Sequence, residues 1–222
     1  MEDTFWRALG ESFMVILATE IGDRTFFIAA IMAMRHPRFV VWGGAVGALI
    51  VMTALSTVVG HVAPLLVSRT YTQYAAAALF LFFGVRMLRD GFHVEHAGAS
   101  EELDEVEAEL TKKQEDDPGD EELAEKPVVK EEPLNKILLQ AFTLTFLAEW
   151  GDRSQIATVA LAAAREPFGV TFGACLGHSL CTGIAVVGGK LLASSISERT
   201  VLLVGGGLFC LFSVLALLGL GQ

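Results

Sequence analysis

The chain is laid out in long apolar runs separated by short polar breaks, the pattern of segments that cross a bilayer rather than of a soluble helical core. Val40 to Val67 holds one histidine and no Asp, Glu, Lys or Arg; Val170 to Ser197 holds only Lys190 of those four types, together with His178. Six spans follow: Phe5–Met34, Phe39–Leu66, Tyr71–Leu88, Leu134–Ala164, Phe168–Ala193 and Val201–Leu220. At about 1.5 Å of rise per residue, helices of these lengths can cross a hydrocarbon core of about 30 Å. The breaks carry helix punctuation: Arg35-His36-Pro37-Arg38, Ser68-Arg69, Arg165-Glu166-Pro167 and Ser197-Glu198-Arg199.

One stretch, Phe92 to Pro133, is hydrophilic. Leu103, Val106 and Leu110 recur there at helical spacing among Glu and Lys, which predicts a short amphipathic helix. Asp116 to Lys130, with Pro118, Gly119 and Pro127, reads as disordered, and the whole stretch as a solvated tether. Three parts result: a three-helix repeat at 1–91, an acidic linker at 92–133 and a second three-helix repeat at 134–222.

The halves repeat in sequence. Glu20-Ile21-Gly22-Asp23-Arg24-Thr25 matches Glu149-Trp150-Gly151-Asp152-Arg153-Ser154, 129 residues later. With a shift of one residue, Arg35-x-Pro37 pairs with Arg165-x-Pro167, Gly43 with Gly173 and Gly47 with Gly177; Arg69-Thr70 likewise pairs with Arg199-Thr200. Each repeat has an odd number of spans and the charged linker cannot cross a bilayer. The second repeat therefore enters from the side on which the first ended, giving an all-α membrane protein of six transmembrane helices in two inverted three-helix repeats. Most Lys and Arg fall on the linker side, which makes the linker cytoplasmic and both termini luminal.

Composition alters little of this. The chain is 53% hydrophobic with a mean hydropathy of +0.52. Its net charge of −10 is concentrated, since 16 of its 26 acidic residues lie between Glu95 and Glu132. The membrane part is close to neutral, and no basic tract points to nucleic acid. Cys175, Cys181 and Cys210 lack any C-x-x-C spacing and read as small apolar residues. No basic region and small-residue cleavage site precede the first apolar run, so no signal peptide is read.

The chemistry lies in the doubled motif. Glu20, Asp23 and Arg24, and Glu149, Asp152 and Arg153, fall inside the first and fourth spans. A charge at the centre of a bilayer costs roughly 2.5–3.5 kcal/mol on insertion scales and usually marks an ion pathway. Glu and Asp three apart share a helix face. The intervening glycine lets a partner approach and weakens the helix. Short apolar halves on either side suggest a broken helix with freed carbonyls. Inversion then predicts an oxygen cage of Glu20, Asp23, Glu149 and Asp152, supported by Thr25, Ser154 and Gln155. Without a nearby His or Cys, such a cage selects a hard cation: Ca²⁺, Mn²⁺ or Mg²⁺. Four carboxylates and the two guanidiniums of Arg24 and Arg153 sum to −2. One divalent ion neutralises that charge, and so do two protons when the ion leaves. No nucleotide-binding motif is present, so ion gradients are the expected energy source. The expected partners are a divalent cation, protons and the lipid bilayer. No resident cofactor is expected, and a homo-oligomer stays open.

The paired motifs, with Thr25-Phe26-Phe27-Ile28-Ala29-Ala30 and Leu144-Thr145-Phe146-Leu147-Ala148-Glu149-Trp150 around them, resemble those of the transmembrane protein 165 family of Golgi manganese/calcium–proton exchangers. The resemblance implies import of Mn²⁺ into the Golgi lumen, with Ca²⁺ as a second substrate, against luminal protons, and no enzymatic activity. Two other readings compete. A passive divalent-cation channel or uniporter would use the same cage. An intramembrane aspartyl protease also carries Gly-Asp motifs in two spans, but an arginine beside each aspartate disfavours a proton-sharing pair. Of the remaining polar groups, His178 reads as a packed, hydrogen-bonded histidine ahead of a proton relay or a lining of the path, Glu11 as an interfacial residue ahead of an entry group, and Gly43, Gly44, Gly47, Gly173 and Gly177 as sites of close helix packing.

Overall fold

The computed structural model describes residues 2–93, 106–108, 110, 133–193 and 197–218. Among these every regular element is a helix: α1 (Glu2–Glu20), α2 (Arg24–Arg35), α3 (Arg38–Leu66), α4 (Arg69–His93), α5 (Leu134–Glu149), α6 (Arg153–Ala164), α7 (Pro167–Ala193) and α8 (Glu198–Leu217). Three of them, α3, α7 and α8, are individually long and apolar enough to cross a membrane. The first and fourth apolar runs are not single helices. Each is two halves, α1 with α2 and α5 with α6, broken at the Glu-x-Gly-Asp motif.

Local chemistry sets the helix ends. His36 precedes Pro37, whose ring disfavours a helical residue before it, and His36 is extended at φ −129°, ψ 163°. Arg165, just before Glu166-Pro167, is extended as well and ends α6. Val67 ends α3 in the same way. Of the expected linker helix, Val106 to Ala108 and Leu110 are helical, and both apolar side chains are buried. Leu103 and the stretch Asp116–Lys130 lie outside the described residues.

The packing repeats with the halves exchanged. Helix α1 lies on α7 and α5 on α3; α2 lies on α7 and α6 on α3; α4 and α8 lie on each other. Glycines bring these backbones together. A Cβ at Gly173 would strike the Leu9 carbonyl of α1, and one at Gly44 would stand 2.5 Å from the Leu138 carbonyl of α5. Leu9 and Leu138 are 129 apart, as are Gly44 and Gly173. In space, therefore, the halves register at the motif's own spacing. The one-residue shift that paired Gly43 with Gly173 is a coincidence of sequence: a Cβ at Gly43 meets nothing within 4 Å, and one at Gly47 makes only ordinary contact. Gly177 does pack closely, against Ile16.

The exchange is not complete. Helix α4 packs on α6 and α8 on α1, whereas α4 has no comparable packing on α5, nor α8 on α2. Between α2 and α5 there is instead a groove of about 180 Å³ lined by Arg24, Ile28, Leu144, Leu147 and Ala148, with Val106 and Leu110 of the linker against it.

The register makes a testable distinction between adjacent glycines. Gly44→Ala should lower the melting temperature of the purified protein in detergent, because overpacking costs about 1–3 kcal/mol. Gly43→Ala should leave it unchanged or raise it, since alanine is the better helix former.

Candidate cation site

The site grows out of two helix breaks. Glu20 and Glu149 are the last residues of α1 and α5. Gly22 and Gly151 follow in the left-handed region, at φ 75° and 81°, a conformation costing a side-chain-bearing residue roughly 1–2 kcal/mol. Around Gly151 a Cβ would meet nothing within 4 Å. The motif needs its glycine for backbone conformation, not for space. Asp23 and Asp152 come next, extended, at the N-cap positions of α2 and α6. Each motif thus ends one half-helix with a carboxylate and begins the next with another. The C-terminal ends of α1 and α5 carry partial negative charge, which favours a cation between them.

The aspartates then part company. Asp152 caps its own helix: Oδ1 accepts from the Gln155 backbone N–H at 2.8 Å and from the Ser154 hydroxyl at 3.0 Å, and Oδ2 accepts from the Ser154 N–H at 2.9 Å. Asp23 makes no side-chain cap. Its Oδ1 accepts a 2.7 Å charge-assisted bond from Arg153 of the other half, whose guanidinium also donates to the Thr19 carbonyl at 3.2 Å. Arg24, the counterpart of Arg153, lines the groove between α2 and α5.

Of the four carboxylates in the expected cage, Glu20, Glu149 and Asp152 each place an oxygen within 4.8 Å of the others, while Asp23 stands aside on Arg153. Glu20 and Glu149 are buried, at 3% and 2% exposure. Thr25 ties the halves together, its hydroxyl donating to Glu149 Oε1 at 2.6 Å and lying 3.5 Å from Glu20 Oε2. The Ser154 hydroxyl is also 3.5 Å from Glu149 Oε2. The Gln155 side chain accepts from the Gly151 N–H at 2.7 Å, bracing the turn. Three like charges so close in an apolar bundle are tolerated only with a cation or protons among them. The arrangement is thus suited to hold one divalent ion and to hold protons in its place.

Two expectations are overturned by this geometry. His178 is buried, but it is not a fully hydrogen-bonded core histidine: Nδ1 has no hydrogen-bond partner and faces Glu20 Oε1 at 3.8 Å. The premise of a site without a nearby His therefore fails. Its cause is topological, because α7 is remote in sequence from the first motif but packs on α1 and α2. Glu11 is not merely interfacial either. It forms a 2.6 Å ion pair with Arg165, with both side chains about nine-tenths buried, and a second pair with Arg7 at 3.2 Å. The cysteines described, Cys175, Cys181 and Cys210, are free thiols.

The ion pair across the halves should show as coupling. Asp23→Asn and Arg153→Gln should each destabilise the protein, and the double substitution should cost less than the two singles added. A discrepancy of about 0.5–3 kcal/mol is expected in a double-mutant cycle read by thermal unfolding.

A family model, divalent cation/proton antiporter GDT1, matches residues 8–95 and 137–221. GDT1-like protein 3 of Oryza sativa subsp. indica is 50% identical over 211 residues, covering 93% of this chain and 72% of the relative. GDT1-like protein 5 of Arabidopsis thaliana is 46% identical over 222 residues, covering 96% and 95%. A GDT1-like protein of Synechocystis sp. is 45% identical over 203 residues, covering 91% and 93%. No solved structure matches. With both motifs inside the matched segments and apolar helices that suit an integral membrane protein, the chain belongs to the GDT1 family of divalent cation/proton antiporters, the transmembrane protein 165 family that its doubled motif resembles.

Proposed function

We propose that the chain is a six-span exchanger that moves Mn²⁺, and secondarily Ca²⁺, against protons through the site between the two breaks. The observation that carries this reading is the convergence of Glu20, Glu149 and Asp152 within one ion's reach. Oxygen donors of this kind suit Mn²⁺ and Ca²⁺. Inverted repeats are supported by the exchanged packing of the halves, α1 on α7 and α5 on α3. Import into the Golgi lumen, with the linker cytoplasmic and both termini luminal, rests on the resemblance and on the distribution of Lys and Arg.

Alternating access follows from the unequal halves. On the side of the termini, α1 and α6 are fastened by Glu11–Arg165 and Arg153–Asp23 and backed by α4 and α8. On the linker side the corresponding half-helices, α2 and α5, touch about as much as α1 and α6 do, but they border a groove of about 180 Å³ beside Arg24. This arrangement supports access from the linker side. The cation would enter there, displace protons from the carboxylates, and leave on the other side once α4 and α8 shift toward α2 and α5. One divalent ion against two protons leaves the charge of the site unchanged in each half-cycle.

Proteoliposomes test the reading. With membrane potential clamped, acid on the side opposite the cation should speed Mn²⁺ uptake, because protons arriving there release the ion and reset the site. Acid on the cation's own side should slow it by competition. Glu149→Gln should abolish uptake while leaving the melting temperature within a few degrees of the parent's. Uptake that follows membrane potential and ignores the pH gradient would identify a channel or uniporter and refute exchange.

A further inference from the structure

We propose that His178 is a ligand of the transported ion and the residue that favours Mn²⁺ over Ca²⁺; the inference rests on the cation-exchange reading of the same site. Two atoms carry it. Glu20 Oε1 and His178 Nδ1 are both buried, both without a hydrogen-bond partner, and face each other at 3.8 Å. A hydrogen bond between them would close to about 2.7–3.2 Å. A buried polar atom left unsatisfied costs about 1–3 kcal/mol. Two of them aimed at each other are instead arranged for something held between them.

A metal ion fits that gap. Two donors each about 2.2 Å from one ion, between the usual Mg²⁺ and Ca²⁺ distances, lie roughly 3.1 Å apart when adjacent and 4.4 Å apart when opposite. The observed separation falls inside that range. The second observation is a cavity of about 10 Å³ lined by His178 together with Glu149, Ser154 and Gln155, which is room for about one water-sized body. The imidazole therefore opens on the same small chamber as the glutamate of the other half. Glu20 does not line that chamber, but its carboxylate oxygen lies within 4.8 Å of one from Glu149, so an ion held by the two glutamates adjoins the nitrogen.

The nitrogen belongs to one half only. The residue 129 positions before His178 is Leu49, which lines the same cavity and cannot ligate. Carboxylates serve Ca²⁺ and Mn²⁺ alike, but Ca²⁺ takes oxygen donors, whereas neutral imidazole is a common ligand for transition metals. Replacing one oxygen of an all-oxygen shell by His178 Nδ1 thus penalises Ca²⁺ relative to Mn²⁺.

Pulsed electron paramagnetic resonance on the purified full chain loaded with Mn²⁺ tests this directly. The parent should show the ¹⁴N modulation of a bound imidazole, changing to the ¹⁵N pattern when histidine alone is ¹⁵N-labelled. His178→Gln should remove the modulation, weaken Mn²⁺ binding about tenfold, on the scale of even outer-shell metal partners, and lower the Mn²⁺ to Ca²⁺ uptake ratio by a similar factor. Mn²⁺ that binds the parent without nitrogen modulation overturns the assignment and leaves the exchanger intact. Modulation surviving in His178→Gln overturns it equally. Failure of the parent to bind Mn²⁺ at all would remove the cation-site reading and this inference with it. The parent spectrum decides even if His178→Gln does not fold.

Discussion

Placing three carboxylates within one ion's reach inside an apolar bundle is the constraint to which the surrounding structure answers. Charges so placed repel one another and lose their water, a cost of several kcal/mol per ion that packing alone does not offset. Compensation begins in the backbone. Breaking α1 from α2 and α5 from α6 exposes helix ends, and the ends supply partial charges and hydrogen-bonding groups where a continuous helix would supply none. Asp152 draws three hydrogen bonds from its own helix start. Thr25 donates to Glu149 across the halves. The fourth carboxylate, Asp23, is paired with Arg153, which offsets part of its charge. What remains is an excess of negative charge that a divalent ion or protons can match, which is the property a cation/proton antiporter requires.

The near-repeat matters because it is broken in a consistent direction. If both halves were alike, Gln140 would do for α5 what Glu11 does for α1, 129 residues earlier, and His36 would stand for Arg165. They are not a pair of charges, and both line one small cavity together with the linker residue Leu110. The fastening ion pair and the backing helices belong to α1 and α6, and Arg153 of α6 bridges to Thr19 of α1 and to Asp23 at the start of α2. Two packings related by exchanging the halves would be close in energy, since each half offers similar apolar surfaces and close-packing glycines at Gly44 and Gly173. The Glu11–Arg165 and Arg153–Asp23 pairs then favour the packing in which they form.

Much of this was legible in the sequence, for identifiable reasons. A doubled motif with acidic residues inside apolar runs announces a site, because such residues are costly anywhere else in a membrane. The broken helices could be anticipated from glycine within that motif; both Gly22 and Gly151 take a positive φ, and at Gly151 the glycine makes no room for a neighbour. Proline marked the ends of α2 and α6. The misses share one cause. His178 is a lone histidine in an apolar segment, and nothing local distinguishes a ligand from a packed side chain; only the crossing of α7 over α1 brings it to Glu20. Glu11 and Arg165 are 154 positions apart, so their pairing is likewise tertiary. The matching letters Gly43 and Gly173 mislead as to register, because the backbones keep the constant spacing of 129 that pairs Gly173 with Gly44.

That spacing bears on why the two motifs cannot be interchangeable despite their near-identity. Equivalent carboxylates at equivalent breaks differ in what the third helix of each half presents to them. Opposite Glu20, α7 presents an imidazole with an unpartnered nitrogen. The corresponding position on α3 is Leu49, and the buried hydroxyls of Thr53 and Ser56, also unpartnered, line the chamber beside Glu149. The nitrogen and these neutral oxygens thus line one chamber and come from the third helices rather than from the motifs. Under the proposed reading, an ion held there would meet donors that the two halves supply unequally. Selectivity would then arise from differences between the halves rather than from the motif they share.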